Sequence, residues 1–342
     1  NLGHINLSTL VAKEPEYTGP IYELGGDESA PTEQDFRQWH AAEVEHGYSG
    51  QKDDPEHVAK FLSQSIDWGM FNHRIELGTR FLENVCTMSD FPVPAIEETV
   101  QNNRKIGLGI MGLAQMLIQM GVEYGTPVSN EVAEQIMTHI NRHAKAESKR
   151  LAVEQQRGSF ATHDESKYAD PVAYREWFEH QTGESADDWA DGYPIRNHNV
   201  TTIAPTGTTS MISNTSGGCE PIFSVVNLRH ITGESEELVV EMDDYFIKTL
   251  EANGIDSEEV KQEAVEQMDN NEYDGIEGLS SVPNALSDVF VTTADLTPQQ
   301  HVDIQCAAQK GVDSSISKTI NAPNDAKIED TRDVFISVYE QG

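Results

Sequence analysis

A short β-branched run, Asn199-Val200-Thr201-Thr202-Ile203-Ala204, leads directly into a turn of small residues, Pro205-Thr206-Gly207-Thr208-Thr209-Ser210. The run predicts a buried strand, and the Pro-Gly turn ends it abruptly. A second glycine-rich turn follows at Asn214-Thr215-Ser216-Gly217-Gly218. Around these segments, stretches of helical apolar spacing alternate with short apolar runs, which predicts an α/β architecture with parallel strands.

Val58, Phe61, Leu62, Ile66, Met70 and Phe71 recur at helical spacing within Pro55–Glu83. Ser129 is read as an N-cap, with Glu131 and Glu134 in the first turn and a helix running to near Gly158. Thr297-Pro298-Gln299-Gln300 reads as a capping box with Pro at the first helical position, and that helix is expected to end near Gly311. A last helix is expected over about Glu329–Glu340, and strands over residues 1–12 and 315–320. Residues 13–53 read as an exposed loop and a polar helix, 89–94 as a turn, and the acidic stretch 232–280 as mostly helical. No repeat or linker divides the 342 residues, so one domain is expected.

Charge narrows the function. Asp and Glu number 58 against 23 Lys and Arg, a formal net charge of −35. Such a surface repels nucleic acid and anionic membranes. The acids are spread through periodic segments, which points to a folded protein adapted to high salt rather than to an acidic tail. No apolar run reaches the ~18 residues of a membrane span. The cysteines Cys86, Cys219 and Cys306 are far apart and form no C-x-x-C pair, so neither a zinc site nor a disulfide framework is expected, and a reducing cytoplasm fits.

The Pro205–Ser210 turn is the sharpest local candidate for chemistry. Gly207 allows close backbone approach, four hydroxyls cluster, and free N–H groups at a helix start favour anions. A phosphate cradle and a plain strand-to-helix turn both satisfy these facts; the G-x-x-x-x-G-K spacing of a Walker A loop is missing. Gly107, Gly109 and Gly112 match G-x-G-x-x-G in form, but no acidic ribose partner follows, so tight packing is the expected role. His139 and His143 stand four apart on a helix; with Arg142 and Lys145 beside them, a solvated face is expected rather than a metal site. Cys306 reads as core, while Cys219, beside Glu220 in the second turn, is open to a role at a site.

Four stretches resemble, in order, the large chain of ribonucleotide reductase, above all its adenosylcobalamin-dependent (class II) branch: NLGHINL at 1–7, NRKIGLGIMGLA at 103–114, TTIAPTGTTSMISNTSGGCEPIF at 201–223 and QKGVDSSISKTINAP at 309–323. The resemblance implies the second half of a ten-stranded α/β barrel. It implies radical reduction of the ribose 2′-hydroxyl to give deoxyribonucleotides for DNA synthesis. Pro205, Thr206, Gly207, Thr208 and Thr209 would hold the substrate phosphates; adenosylcobalamin would supply the radical. A thioredoxin-like reductant, the remaining part of the same enzyme and a homodimer partner are implied as well.

The family's radical cysteine lies in an N-x-C-x-E motif, and by resemblance it and one redox cysteine would precede Asn1, with a cysteine-bearing tail beyond Gly342. His4 stands where the family commonly has Ser. Asn84-Val85-Cys86-Thr87-Met88 does not replace the motif, since Met88 occupies the carboxylate position. No catalytic or metal-binding residue is therefore expected in this chain, and alone it is not expected to turn over; a gene fragment or a piece separated at an intein would read this way. A non-catalytic nucleotide-binding module and a class I large subunit are the alternatives.

Overall fold

The computed structural model describes residues 1–11, 54–231, 237–252, 254–270, 275–322 and 326–341. The loop and polar helix expected at 13–53 lie outside the described residues.

Strand β1 (Leu2–Asn6) pairs in parallel with β2 (Gly107–Met111), in register from Leu2 opposite Gly107 to Asn6 opposite Met111. Between them in sequence lie α1 (Pro55–Ser65), α2 (Trp68–Met88) and α3 (Pro94–Asn103). The single helical stretch expected over 55–83 is thus two helices. Ile66 is extended and bridges Val11, and the Asp67 side chain accepts from Met70 N at 2.9 Å to start a new helix. The turn at 89–94 exists, and Pro94, at the first helical position, launches α3.

After β2 come α4 (Leu113–Gln119), the long α5 (Pro127–Val153) and α6 (Arg175–Thr182). Helix α5 begins earlier than expected: Thr126 is the N-cap and Ser129 closes the capping box from the third helical position. Pro127 fixes that start, because its missing N–H is tolerated only in the first turn. The helix ends at Val153, short of Gly158, which has a φ of 72°.

The run at 199–204 lies next to β2. Leu108 N donates to Val200 O at 2.8 Å, and Thr202 N donates to Leu108 O at 3.2 Å. On its other side Ile203 bridges Ile316 in parallel, and Ser317 N donates to Ile203 O at 2.8 Å. Four parallel segments thus lie side by side: β1, β2, the 199–204 run and the segment at 314–317. The last two form only isolated bridges, not the full strands expected, because side chains occupy ladder positions. Val200 N donates to Asp313 Oδ2 at 2.8 Å, and Thr202 Oγ1 donates to Ser315 O at 2.6 Å.

The chain continues through α7 (Gly207–Ile212), an antiparallel hairpin of β3 (Val226–Ile231) and β4 (Glu237–Met242), then α8 (Asp244–Ala252), α9 (Ser257–Asp269) and α10 (Asn284–Ser287). The hairpin corrects the helical reading at the start of 232–280; the Val239-Val240 pair favours strand despite the acidic flanks. Helix α11 (Pro298–Lys310) carries the expected Thr297–Gln300 capping box and ends at Gly311. Helix α12 (Ile328–Gln341) closes the described chain.

The core runs from Ile5 and Leu7 through Ile110, Ile136 and Ile203 to Ile304 and Val312. A satellite cluster of Phe160, Tyr168, Phe178, Tyr193 and Ile195 sits apart from it. At the amino ends of the parallel segments, the fully buried Lys145 ammonium pairs with Asp313. That carboxylate also accepts from the Val200 N–H, so the pair fixes the position of the 199–204 run.

Candidate functional site

Parallel segments place their functional loops at one end, because each strand must leave the sheet at its carboxyl terminus before a crossover returns it. Here the carboxyl ends of β2, the 199–204 run and the 314–317 segment meet around a cavity of about 480 Å³ lined by Pro205, Gly207, Ser210, Ser216, Glu220 and Thr319, among others.

Thr206 initiates α7 with φ 51°, in the left-handed region that a β-branched residue rarely adopts. Its hydroxyl is buried and accepts from Gly218 N at 2.7 Å, which clips the first glycine-rich turn to the second. Two of the other hydroxyls turn back on their own loop: Thr209 Oγ1 donates to Thr206 O at 3.2 Å and Ser210 Oγ to Gly207 O at 3.2 Å. The first intrahelical bond is Ser210 N to Thr206 O at 2.8 Å, so the N–H groups of Gly207, Thr208 and Thr209 precede any intrahelical partner. Gly207 has no atom within 4 Å of where a Cβ would stand. The loop therefore offers backbone donors and open space, with the Thr206 and Thr209 side chains used for internal bracing and Thr208 exposed. Of the five predicted residues, Pro205 and Gly207 line the cavity directly.

The second turn is held from two further sides. Gln115 Oε1 accepts from Ser216 N at 2.8 Å and from Thr215 Oγ1 at 3.0 Å. Glu220 reaches across to the 314–317 segment: its Oε2 accepts from Lys318 Nζ at 2.6 Å and its Oε1 from Thr319 N at 2.7 Å. Lys318 also donates to His301 Nδ1 at 2.8 Å. Burial and the neighbouring Lys318 charge push the His301 pKa down to about 4, so the imidazole is neutral.

The description of the ribonucleotide reductase barrel domain matches residues 1–342. The chain belongs to that family. It is 30% identical over 284 residues to the vitamin B12-dependent ribonucleoside-diphosphate reductase of Mycobacterium tuberculosis (strain CDC 1551 / Oshkosh), covering 83% of this chain and 36% of that protein. It is 33% identical over 268 residues to the vitamin B12-dependent ribonucleoside-diphosphate reductase of Thermoplasma acidophilum, covering 78% of this chain and 31% of that protein. The chain thus spans about a third of the length of these curated relatives. Among solved structures, the Actinobacillus ureae class Id ribonucleotide reductase alpha subunit superposes with a TM-score of 0.57 at 18% identity, over 80% of this chain and 45% of that one. That likeness supports the fold: a mixed α/β, helix-rich part of the reductase barrel.

Within this reductase barrel, Gly107, Gly109 and Gly112 serve close packing. A Cβ on Gly109 would stand 2.2 Å from Thr202 O, and one on Gly107 2.4 Å from Thr202 Cγ2. Gly112, at φ 77°, lets the end of β2 approach the second turn, where a Cβ would meet Thr215 Oγ1 at 2.5 Å. The three cysteines are buried and unbridged. Burial pushes the Cys219 thiol up to about 12, and Lys318 only partly opposes this, so Cys219 is a neutral thiol beside the cavity.

His139 corrects the expectation of a solvated face. Its ring packs against Trp68 and Phe71, at centroid distances of 4.5 and 5.3 Å, and its Nε2 lies 2.7 Å from Asn72 Oδ1. Gln115, Glu220, Lys318 and His301 obey no local spacing rule for a site, although Glu220 and Lys318 fall within the stretches 201–223 and 309–323.

Proposed function

We propose that this chain supplies the substrate-phosphate side of a reductase that converts ribonucleotides to 2′-deoxyribonucleotides. The observation that carries this reading is the cavity at the carboxyl ends of the parallel segments, bordered by the start of α7. Its volume of about 480 Å³ lies within the ~300–1,000 Å³ usual for small-ligand sites. The N–H groups of Gly207, Thr208 and Thr209 would hold phosphate oxygens, Pro205 and Thr206 would set the direction of that first turn, and the remainder of the nucleotide would extend toward Pro221 and Phe223. Holding the phosphates fixes where the ribose stands, which is the entropic part of catalysis this chain can contribute.

The matched relatives are named as vitamin B12-dependent, so adenosylcobalamin is the cofactor proposed for the whole enzyme, where it supplies the radical. The cavity is sized for a nucleotide and is too small to enclose a corrin ring with its amide arms as well. The residues lining it do not define a cobalamin seat, and no step through cobalamin is assigned to them. A ribonucleotide substrate, a thioredoxin-like reductant and a second copy of the enzyme are the proposed partners. Among the described residues no helix is long and apolar enough to cross a membrane. The spread of acidic residues supports a cytoplasm rich in salt.

Gly207→Ala tests the reading. The substitution adds one methyl where no protein atom stands within 4 Å, so the fold should tolerate it. Calorimetric titration with cytidine diphosphate should show binding weakened about tenfold, a loss of ~1.4 kcal/mol. Unchanged affinity would remove the loop from the phosphate site.

A further inference from the structure

The second glycine-rich turn borders the cavity without belonging to the loop assigned to phosphate, and it is braced by an ion pair of Lys318 with Glu220, whose side chain keeps 24% exposure. Lys318 has no side-chain exposure. All three ammonium protons have acceptors: Glu220 Oε2 at 2.6 Å, Thr319 O at 2.7 Å and His301 Nδ1 at 2.8 Å. Lysine only donates, so the His301 proton resides on Nε2 and the imidazole adds no second positive charge. Glu220 in turn uses both oxygens, one on Lys318 and one on Thr319 N.

These bonds fix Glu220, and Glu220 fixes the turn. Its own N–H donates to Gly217 O at 2.8 Å, and the next residue, Gly218, donates its N–H to Thr206 Oγ1 at 2.7 Å. A path of hydrogen bonds and one peptide link, Lys318–Glu220–Gly217–Gly218–Thr206, therefore runs from the end of the 314–317 segment to the residue that opens α7. Gly217 and Gly218 leave no slack in it: a Cβ on Gly217 would stand 3.0 Å from Pro205 O, and one on Gly218 3.1 Å from Ala204 O. With all three ammonium protons and both carboxylate oxygens engaged, Lys318 and Glu220 are held in one geometry.

We infer that Lys318 and Glu220 are positioning residues for substrate phosphate: by bracing the second glycine-rich turn they set the angle at which the Gly207–Thr209 N–H groups meet the anion. The ammonium does not itself contact the phosphate, because its three protons are already committed. The inference rests on the phosphate-loop reading above and assigns that site two residues outside its motif.

The test compares a ligand that carries phosphate with one that does not. In the protein carrying Lys318→Met, cytidine diphosphate affinity should fall about tenfold while cytidine affinity, followed by NMR titration, stays the same. Adding Glu220→Gln to Lys318→Met should restore part of the loss, since the amide oxygen still accepts from Thr319 N and no carboxylate is left unpaired. Where Lys318→Met does not fold, Glu220→Gln alone should show the same selective loss at about threefold. Equal losses for both ligands, or no loss for either, would overturn the inference. Gly207→Ala separates the two levels. If Gly207→Ala weakens the diphosphate and the brace variants do not, the brace is wrong and the loop stands; if Gly207→Ala has no effect, the loop reading fails and takes the brace with it.

Discussion

Thr206 and Gly218 are joined by a hydrogen bond from the Gly218 N–H to the Thr206 hydroxyl, 2.7 Å long and buried. The residue that accepts it sits at φ 51°. For a β-branched side chain this conformation costs roughly 1–2 kcal/mol, and glycine would adopt it freely. That the chain carries threonine here is accounted for by the hydroxyl, which satisfies a buried donor and ties two turns together.

Thr206→Val keeps the shape and removes the acceptor. The Gly218 N–H is then left buried without a partner, which costs about 1–3 kcal/mol. Urea denaturation should show that loss, and Thr206→Ser should recover most of it. Equal midpoints for wild type and Thr206→Val would show that the clip contributes nothing.

Gly109→Ala should be far more damaging than Gly207→Ala, although both change one glycine in a glycine-rich segment. At Gly109 the added methyl would stand 2.2 Å from the Thr202 carbonyl oxygen, so β2 and the 199–204 run would have to separate. Forced overpacking typically costs ~1–3 kcal/mol, and a backbone partner that cannot rotate away places this case at the upper end or beyond. Soluble yield and melting temperature of the two variants, measured side by side, check the contrast. A Gly109→Ala protein as stable as wild type would show that the two segments are not so closely packed.

The same contrast shows what could be read in the sequence. The Thr297–Gln300 capping box and the extended run into the 205–210 turn follow from local rules, because each depends on residues adjacent in the chain; Gly107 and Gly109 show locally only that a close neighbour is allowed, and that neighbour, Thr202, comes from a distant segment. The start of α5 was also a local matter, but Thr126 and Ser129 are both good caps and only Pro127 between them decides. Lys318 and Glu220 lie 98 residues apart, and Gln115 and Ser216 lie 101 apart. No spacing rule joins such pairs; they meet because parallel segments bring their carboxyl ends together. The cover over His139 is hidden for a related reason: its own helix shows charged neighbours, while the aromatic surface that packs on it comes from α2.

His139 therefore makes stability depend on pH. Burial, followed by the nearby His143 and Arg142, lowers its pKa from 6.5 to about 3. Between those values the unfolded chain binds a proton that the folded chain does not, so the stabilising contribution is complete above pH 6.5 and is lost progressively as pH falls toward 3. From pH 6.5 to 4.5 the loss is at most about 2–3 kcal/mol, at ~1.36 kcal/mol per unit. His139→Gln keeps a donor for Asn72 and cannot titrate. Urea midpoints at pH 7 and 4.5 should fall less for the variant than for wild type, the other titrating groups being common to both. Parallel losses would place His139 in contact with water in solution.

Salt provides a test of the charge reading. A net charge of −35 repels itself in the compact state, and the repulsion is greatest where counterions are scarce. The Debye length falls from ~10 Å at 0.1 M to ~3 Å at 1 M, so repulsion between exposed carboxylates is strongly screened at the higher concentration. Potassium chloride should therefore raise the melting temperature steeply over that interval. An equal osmolarity of sucrose separates screening from general exclusion of cosolute, which also favours the folded state. If the charges are an adaptation to salt, chloride salts should stabilise well beyond sucrose, and the gain should be smaller at pH 4, where part of the carboxylate charge is already neutralised by protons. A melting temperature that ignores potassium chloride, or that sucrose raises as much, would mean the acidic surface is tolerated by the fold at any ionic strength and carries no information about where the protein works.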